Sequence, residues 1–210
     1  MVKLQANTIR TLIEAALFCA VIAFALSTFT YKDMYDNQVI ETEVVQAELD
    51  DVYKQIDEER TELDRLTEYL QGKYGRDKAE STRVAQYLLE SSKEFKLDTR
   101  FLAAQLDVES NFNTHAVSYV DGKYVGARGM MQVMPFWIKH IPWLHSVKDL
   151  HNPRLNIRAG AYILAKYVKE CGGTMEMGLR CYHGGYRAIK NPRVSTVQYV
   201  ERVYKRYNTI

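Results

Sequence analysis

The start of the chain limits most what it can fold into. From Leu12 to Phe29, eighteen residues carry a single charge, Glu14, near one end. The run's length lies between a long signal-peptide core and a short spanning helix. Lys3 and Arg10 precede it, and Asp33 and Asp36 follow. Basic residues favour the cytoplasmic side, so residues 1–11 stay inside and the rest of the chain crosses. The expectation is an uncleaved anchor over 12–30. The alternative is a signal peptide cut near Ala25-Leu26-Ser27. Cys19 is a poor lipid-attachment site, because apolar sequence continues on both sides of it.

A second pattern follows the first. Val45, Leu49, Val52, Ile56, Leu63, Leu66 and Leu70 are separated by steps of four, three, four, seven, three and four. Glu59 occupies the one missing seam position. This is a 3.5-residue repeat with charges elsewhere, and it predicts a coiled-coil stalk over 39–71. The partner would be a second copy or another protein's helix. The competing reading is one amphipathic helix packed on the second domain. Gly72 and Gly75 should break the helix, placing a linker over 72–80.

Charge divides the chain at the same place. Residues 1–80 hold nine Lys/Arg against sixteen Asp/Glu, a balance of −7. Residues 81–210 hold nineteen against ten, a balance of +9. Two modules with different tasks are implied, the second suited to a polyanion. Four prolines and eleven glycines exclude a collagen-like chain, and 47% hydrophobic residues exclude a disordered one. Three cysteines exclude a disulfide-dense scaffold. Cys171 and Cys181, flanking Gly172-Gly173, can either bridge a helix–turn–helix or remain two buried thiols.

The basic half, 81–210, reads as mainly α. Val84, Leu88 and Phe95 form a helical stripe over 81–96. Asp98 or Thr99 can cap a second helix running from Arg100 to about Glu109. Asp121-Gly122, between the alternating residues of Ser118–Val125, predicts one small β-hairpin. Helices are expected over Gly129–His140, kinked or broken at Pro135, and over Leu155–Glu170, Thr174–His183 and Ser195–Tyr207.

The chemistry is best sought on the second of these helices. Leu102, Leu106 and Glu109 lie at i, i+4 and i+7, on the face that points into the core. A carboxyl at the last turn of that ridge would be partly desolvated, which raises its pKa. An acid that stays protonated near neutral pH can donate to a glycosidic oxygen. Asp107 falls on roughly the opposite side of the helix, so the paired carboxylates of most glycosidases are not visible.

Here the residues suggest a family. Glu109-Ser110-Asn111-Phe112 with Ala116-Val117-Ser118 resembles the catalytic-helix segment of lytic transglycosylases of the soluble, goose-lysozyme-like type. Gly126-Ala127-Arg128-Gly129-Met130-Met131-Gln132-Val133-Met134-Pro135 resembles their Gly-Ala-x-Gly-Leu-Met-Gln-x-Met-Pro stretch. Asn152-Pro153, Asn156-Ile157, Gly160 and Tyr162 follow in order. Cys181-Tyr182-His183-Gly184-Gly185 is similar to Ala-Tyr-Asn-Ala-Gly, and Pro192 with Tyr199-Val200 closes the set. The five blocks cover roughly residues 85–205.

The resemblance implies a lysozyme-like helical domain. It also implies cleavage of the β-1,4 bond between N-acetylmuramic acid and N-acetylglucosamine. By it, Glu109 is the single general acid and base, and the muramic C6 hydroxyl closes on its own C1 to leave a 1,6-anhydro end. Intramolecular attack would replace an activated water and a second carboxylate. Ser110 would orient substrate or the acid, Gln132 would contact substrate beside Met130 and Met131, Tyr182 would line the groove, and Tyr199 would stand near the carboxyl. Three positions depart from the pattern: His183 replaces asparagine, Met130 replaces leucine, and Ser195 stands where an acid often does. An imidazole cannot copy an amide's paired donor and acceptor. A lysozyme-type hydrolase and a non-catalytic wall-binding or assembly protein are the alternatives.

No cofactor is implied. His140, His145 and His151 do not share a helix face, so zinc is not expected. Basicity alone does not indicate nucleic acid, because no base-reading motif accompanies it. The expected partners are peptidoglycan glycan strands and the membrane. The expected location is the periplasmic face of the cytoplasmic membrane, serving envelope-spanning machinery, or else a phage virion.

Overall fold

The computed structural model describes the backbone of residues 2–119 and 126–210, with side chains from Glu14 onward within those ranges. The chain forms two compact units, Met1–Glu58 and Glu59–Ile210. The first unit is helix throughout its described length, part of one continuous helix α1, Val2–Tyr74. The helix is long and apolar enough near its N-terminus to cross a membrane. Phe18, Val21, Phe24 and Phe29 are exposed on it, and so are Val45, Leu49, Val52 and Ile56 farther along.

The second unit begins before the interval expected as a linker. The last turns of α1 belong to it. Leu66 and Leu70 are fully buried, and Leu63, Tyr69 and Tyr74 pack beside them. The lower heptad seam is therefore filled by the chain's own core, whereas its upper positions stay exposed. Within 72–80 only Gly75, Arg76 and Asp77 separate α1 from α2, Lys78–Phe95. Gly75 takes φ +61 in open space, where a glycine turns the chain without strain.

Asp77 caps α2 by accepting from the backbone N–H of Glu80. Asp98 accepts from the N–H groups of Arg100 and Phe101 and opens α3, Thr99–Ser110. Helix α3 runs through the middle of the unit, with Leu102, Ala103, Ala104, Gln105, Leu106 and Asp107 all buried. Helix α4, Pro153–Glu170, starts from an Asn152 cap with proline at its first position, a placement that sacrifices no hydrogen bond. Helices α5, Met175–Gly184, and α6, Val194–Tyr207, complete the lysozyme-like array. A disulfide joins Cys171, at the end of α4, to Cys181 on α5.

Most of the Asp121-Gly122 hairpin lies outside the described residues, and an antiparallel bridge between Val117 and Arg128 flanks it. The helix expected over Gly129–His140 is not one. Arg128 and Val133 exchange both backbone hydrogen bonds at 3.0 Å, closing a tight loop in which Gly129 has φ +76 and Gln132 φ +48. Only Pro135–Lys139 coils, as a 3₁₀ turn. Helical propensity loses here because Asn156, buried on α4, captures the loop's backbone. It accepts from Met131 N–H at 2.7 Å and donates to the Arg128 and Leu150 carbonyls at 2.9 Å each.

Candidate active site

Glu109 sits in the last turn of α3, on the ridge of Leu102 and Leu106, and is only partly open to solvent. The Tyr199 hydroxyl on α6 donates to its Oε1 at 2.6 Å. Burial pushes the Glu109 carboxyl up to about 7, against the Tyr199 hydrogen bond and the charge of Arg202, which both pull it down. Near neutral pH the group is thus poised between acid and base.

The end of α3 is held from two sides. Ser110 Oγ donates to the Met130 carbonyl at 2.7 Å, tying the helix end to the Gly129–Gln132 loop. On the opposite side Asp107 is sealed from solvent and takes contacts from Lys73, Tyr69 and Tyr74 of α1 and from Arg206 of α6. Burial alone would raise the Asp107 carboxyl, but these donors outweigh it and hold the group below the usual carboxylate range. Past α3, Asn111 and Phe112 both take positive φ, and the buried Phe112 ring lies 4.9 Å from that of Tyr74. The Phe112 carbonyl accepts from Arg76. The last turns of α1 therefore grip the helix that carries Glu109.

The other expected residues gather around this point. Met130 and Met131 are buried, and a Cβ on Gly160 of α4 would come within 2.5 Å of Met131. Both methionines belong to the core behind the site, and neither lines the cavity described below. Tyr182 on α5 donates to the Met131 carbonyl at 2.7 Å, and burial, with the charge of Glu109, keeps its phenol protonated. Gln132 uses its amide N–H₂ on the Gly129 carbonyl at 3.0 Å and the Ala116 carbonyl at 3.3 Å. His183 stacks on Tyr199 with ring centres 4.6 Å apart, and its Nδ1 lies 3.2 Å from Thr196 Oγ1. Burial and the charge of Arg202 lower its pKa, which favours the neutral ring. Gln132, Met134, Phe136, Trp137, Tyr182 and His183 line a cavity of about 230 Å³. Neither Glu109 nor Tyr199 lines it; the link is His183, which lines the cavity and stacks on the tyrosine bonded to Glu109.

Sequence reasoning missed three participants. Gln105 is fully buried one turn before Glu109 and lies against the Tyr199 phenol; its i−4 spacing from Glu109 was the available signal. Arg202 bears on both Glu109 and His183 through its charge. Asp107 was read only as pointing away. Among the described residues no cluster of three His, Cys, Asp or Glu could hold a metal ion.

Residues 86–205 match the transglycosylase SLT domain. The chain belongs to this family. A curated relative in Escherichia coli O157:H7, described as a peptidoglycan-binding-like protein, is 30% identical over 127 residues, which is 55% of this chain and 72% of the relative. The SLT fold is also that of two solved structures. One is an inactive glutamate-to-glutamine mutant of the lytic transglycosylase Slt from Pseudomonas aeruginosa, 27% identical over 58% of this chain with a TM-score of 0.51. The other is the 70 kDa soluble lytic transglycosylase of Escherichia coli, 22% identical over 58% of the chain, also with a TM-score of 0.51. The chain spans 23% of the length of each of these two proteins.

Proposed function

We propose that the protein is a membrane-tethered lytic transglycosylase that cleaves peptidoglycan between N-acetylmuramic acid and N-acetylglucosamine. The observation that carries the reading is the Glu109 carboxyl, raised to about 7 and held by Tyr199. Protonated Glu109 gives its hydrogen to the glycosidic oxygen as the C1–O bond breaks and glucosamine leaves with a free hydroxyl. The carboxylate then takes the proton of the muramic C6 hydroxyl, whose oxygen bonds to C1. Glu109 ends protonated, no water is consumed, and the new end is a 1,6-anhydro sugar. One group serves both steps because its pKa matches the working pH.

Tyr199 aims the carboxyl, and Ser110 fixes the helix end against the Gly129–Gln132 loop. Gln132, Tyr182 and His183 form the wall that takes the glycan. The apolar segment of α1 spans the cytoplasmic membrane and leaves the catalytic unit on its outer, periplasmic face. The exposed seam from Val45 to Ile56 pairs with a second copy or a partner's helix. Support comes from family membership, from the solved relative inactivated by a glutamate-to-glutamine change, and from the match of apolar length to a bilayer.

The test is product analysis on purified sacculi. Wild type is expected to release fragments lighter by one water than reducing-end products, and Glu109→Gln to release none while still sedimenting with the wall. Reducing ends would make the protein a hydrolase on the same fold. Undiminished release by Glu109→Gln would refute the assignment of the acid.

A further inference from the structure

A larger cavity, of about 710 Å³, opens beside the one just described. Its walls include His183, Tyr186, Arg187, Lys190, Arg193 and Ser195. Arg187, Lys190 and Arg193 are all exposed, and among the described residues no acidic side chain lines the cavity and none of the three is paired with an acid. Three of the nineteen basic residues of the second half thus share one concave wall. His183 lines both cavities, and its ring stacks on the Tyr199 that holds Glu109. A ligand lying along the first cavity would therefore pass His183 within reach of the second.

The muramic sugar is a branched ligand. Its lactyl ether carries a stem peptide that bears free carboxylates, while the glycan backbone has none. Three unpaired cations in a concave wall raise the local concentration of such anions and reward each carboxylate they meet. We propose, building on the transglycosylase reading above, that the Arg187–Lys190–Arg193 cavity binds the carboxylates of the stem peptide and makes the enzyme prefer peptide-bearing strands over stripped ones. The glycan occupies the wall of Gln132, Tyr182 and His183, and the branch leaves it at His183. Because the cations are solvent-exposed, each contact adds modestly and weakens as salt rises.

The experiment uses the full chain in mild detergent with two substrates, strands carrying stem peptides and the same strands stripped of them by an amidase, with the lactyl carboxylates that the amidase frees then capped as methylamides so that no carboxylate remains. The triple variant Arg187→Ala/Lys190→Ala/Arg193→Ala is compared with wild type. The variant is expected to lose about three- to tenfold in kcat/KM on peptide-bearing strands, most of it in KM, and to change less than about twofold on stripped strands. The loss should shrink at high salt. Equal losses on both substrates, or none on either, would overturn the proposal. The same comparison by binding, in the Glu109→Gln background, needs no turnover. If wild type cleaves neither substrate, the transglycosylase reading fails, while a variant-sensitive preference for peptide-bearing strands in that binding assay still supports this cavity's role and its absence removes it.

Discussion

Replacing Glu109 by glutamine tests the buried-acid argument through folding, independently of catalysis. The carboxyl rises from an ordinary 4.5 to about 7 in the folded chain. The native state then binds more protons than the unfolded chain between those two values, so stability falls as pH rises through that window. At 1.36 kcal/mol per pKa unit the full penalty is ~3 kcal/mol, and the partial solvent access of the side chain trims it to about 2. Glu109→Gln removes the ionisation and keeps an oxygen that can accept from the Tyr199 hydroxyl. Wild type and variant should be nearly equally stable at pH 4. The variant should gain steadily on wild type from about pH 4.5 to 7, and the gap should be constant above. Urea unfolding of the full chain in mild detergent reads this directly. Trp137 and Trp143, both in the catalytic unit, serve as the fluorescent probes. A stability difference independent of pH, or one that turns against the variant as pH rises, would show that the carboxyl is not desolvated, and the acid–base argument would lose its basis.

Other outcomes follow from the same contacts. Tyr199→Phe deletes the donor that lowers Glu109, so the alkaline limb of the kcat/KM profile should move up in pH while the rate drops about 10- to 100-fold; an unmoved limb would deny the contact its role. Asp107→Asn leaves Lys73 and Arg206 without a counter-charge and should cost about 2–4 kcal/mol in urea unfolding at neutral pH. Because the native Asp107 pKa is depressed, that contribution is present above about pH 4 and is lost as pH falls through the folded value, so the two proteins should converge only in acid. Reducing Cys171–Cys181, ten residues apart in sequence, should lower stability by about 2–3 kcal/mol, read as a fall in Tm on adding dithiothreitol.

Much of the site could be read from the sequence because its determinants are local. Leu102, Leu106 and Glu109 share a helix face, and the Asp98 cap that starts the helix is one residue away from it. The blocks around Gln132, Tyr182 and Tyr199 are contiguous, though only folding brings their side chains to one wall. What sequence hid depends on distant partners. A heptad seam says that a helix must be covered, not by what, and Leu66 and Leu70 turn out to be covered by the chain's own core. The loop at Gly129–Gln132 looks helical by propensity, but Asn156, more than twenty residues downstream, takes its backbone groups and imposes positive φ at Gln132. Asp107 could be placed on the far side of α3, yet nothing local announced that Tyr69, Lys73 and Tyr74 would converge on it.

If the apolar segment of α1 holds a membrane as proposed, the helix also bears on how the protein would be shed. A protease that clips α1 upstream of Glu59 frees an intact head, because the compact unit starts there. A cut between Leu70 and α2 does something different. It takes Leu66 and Leu70 out of the interior and Tyr69 off Asp107, so the liberated fragment loses the brace behind its own acid. On the proposed tethering, detachment at that point would disarm the molecule at the moment of escape, and wall cutting would stay confined to copies still holding their leash.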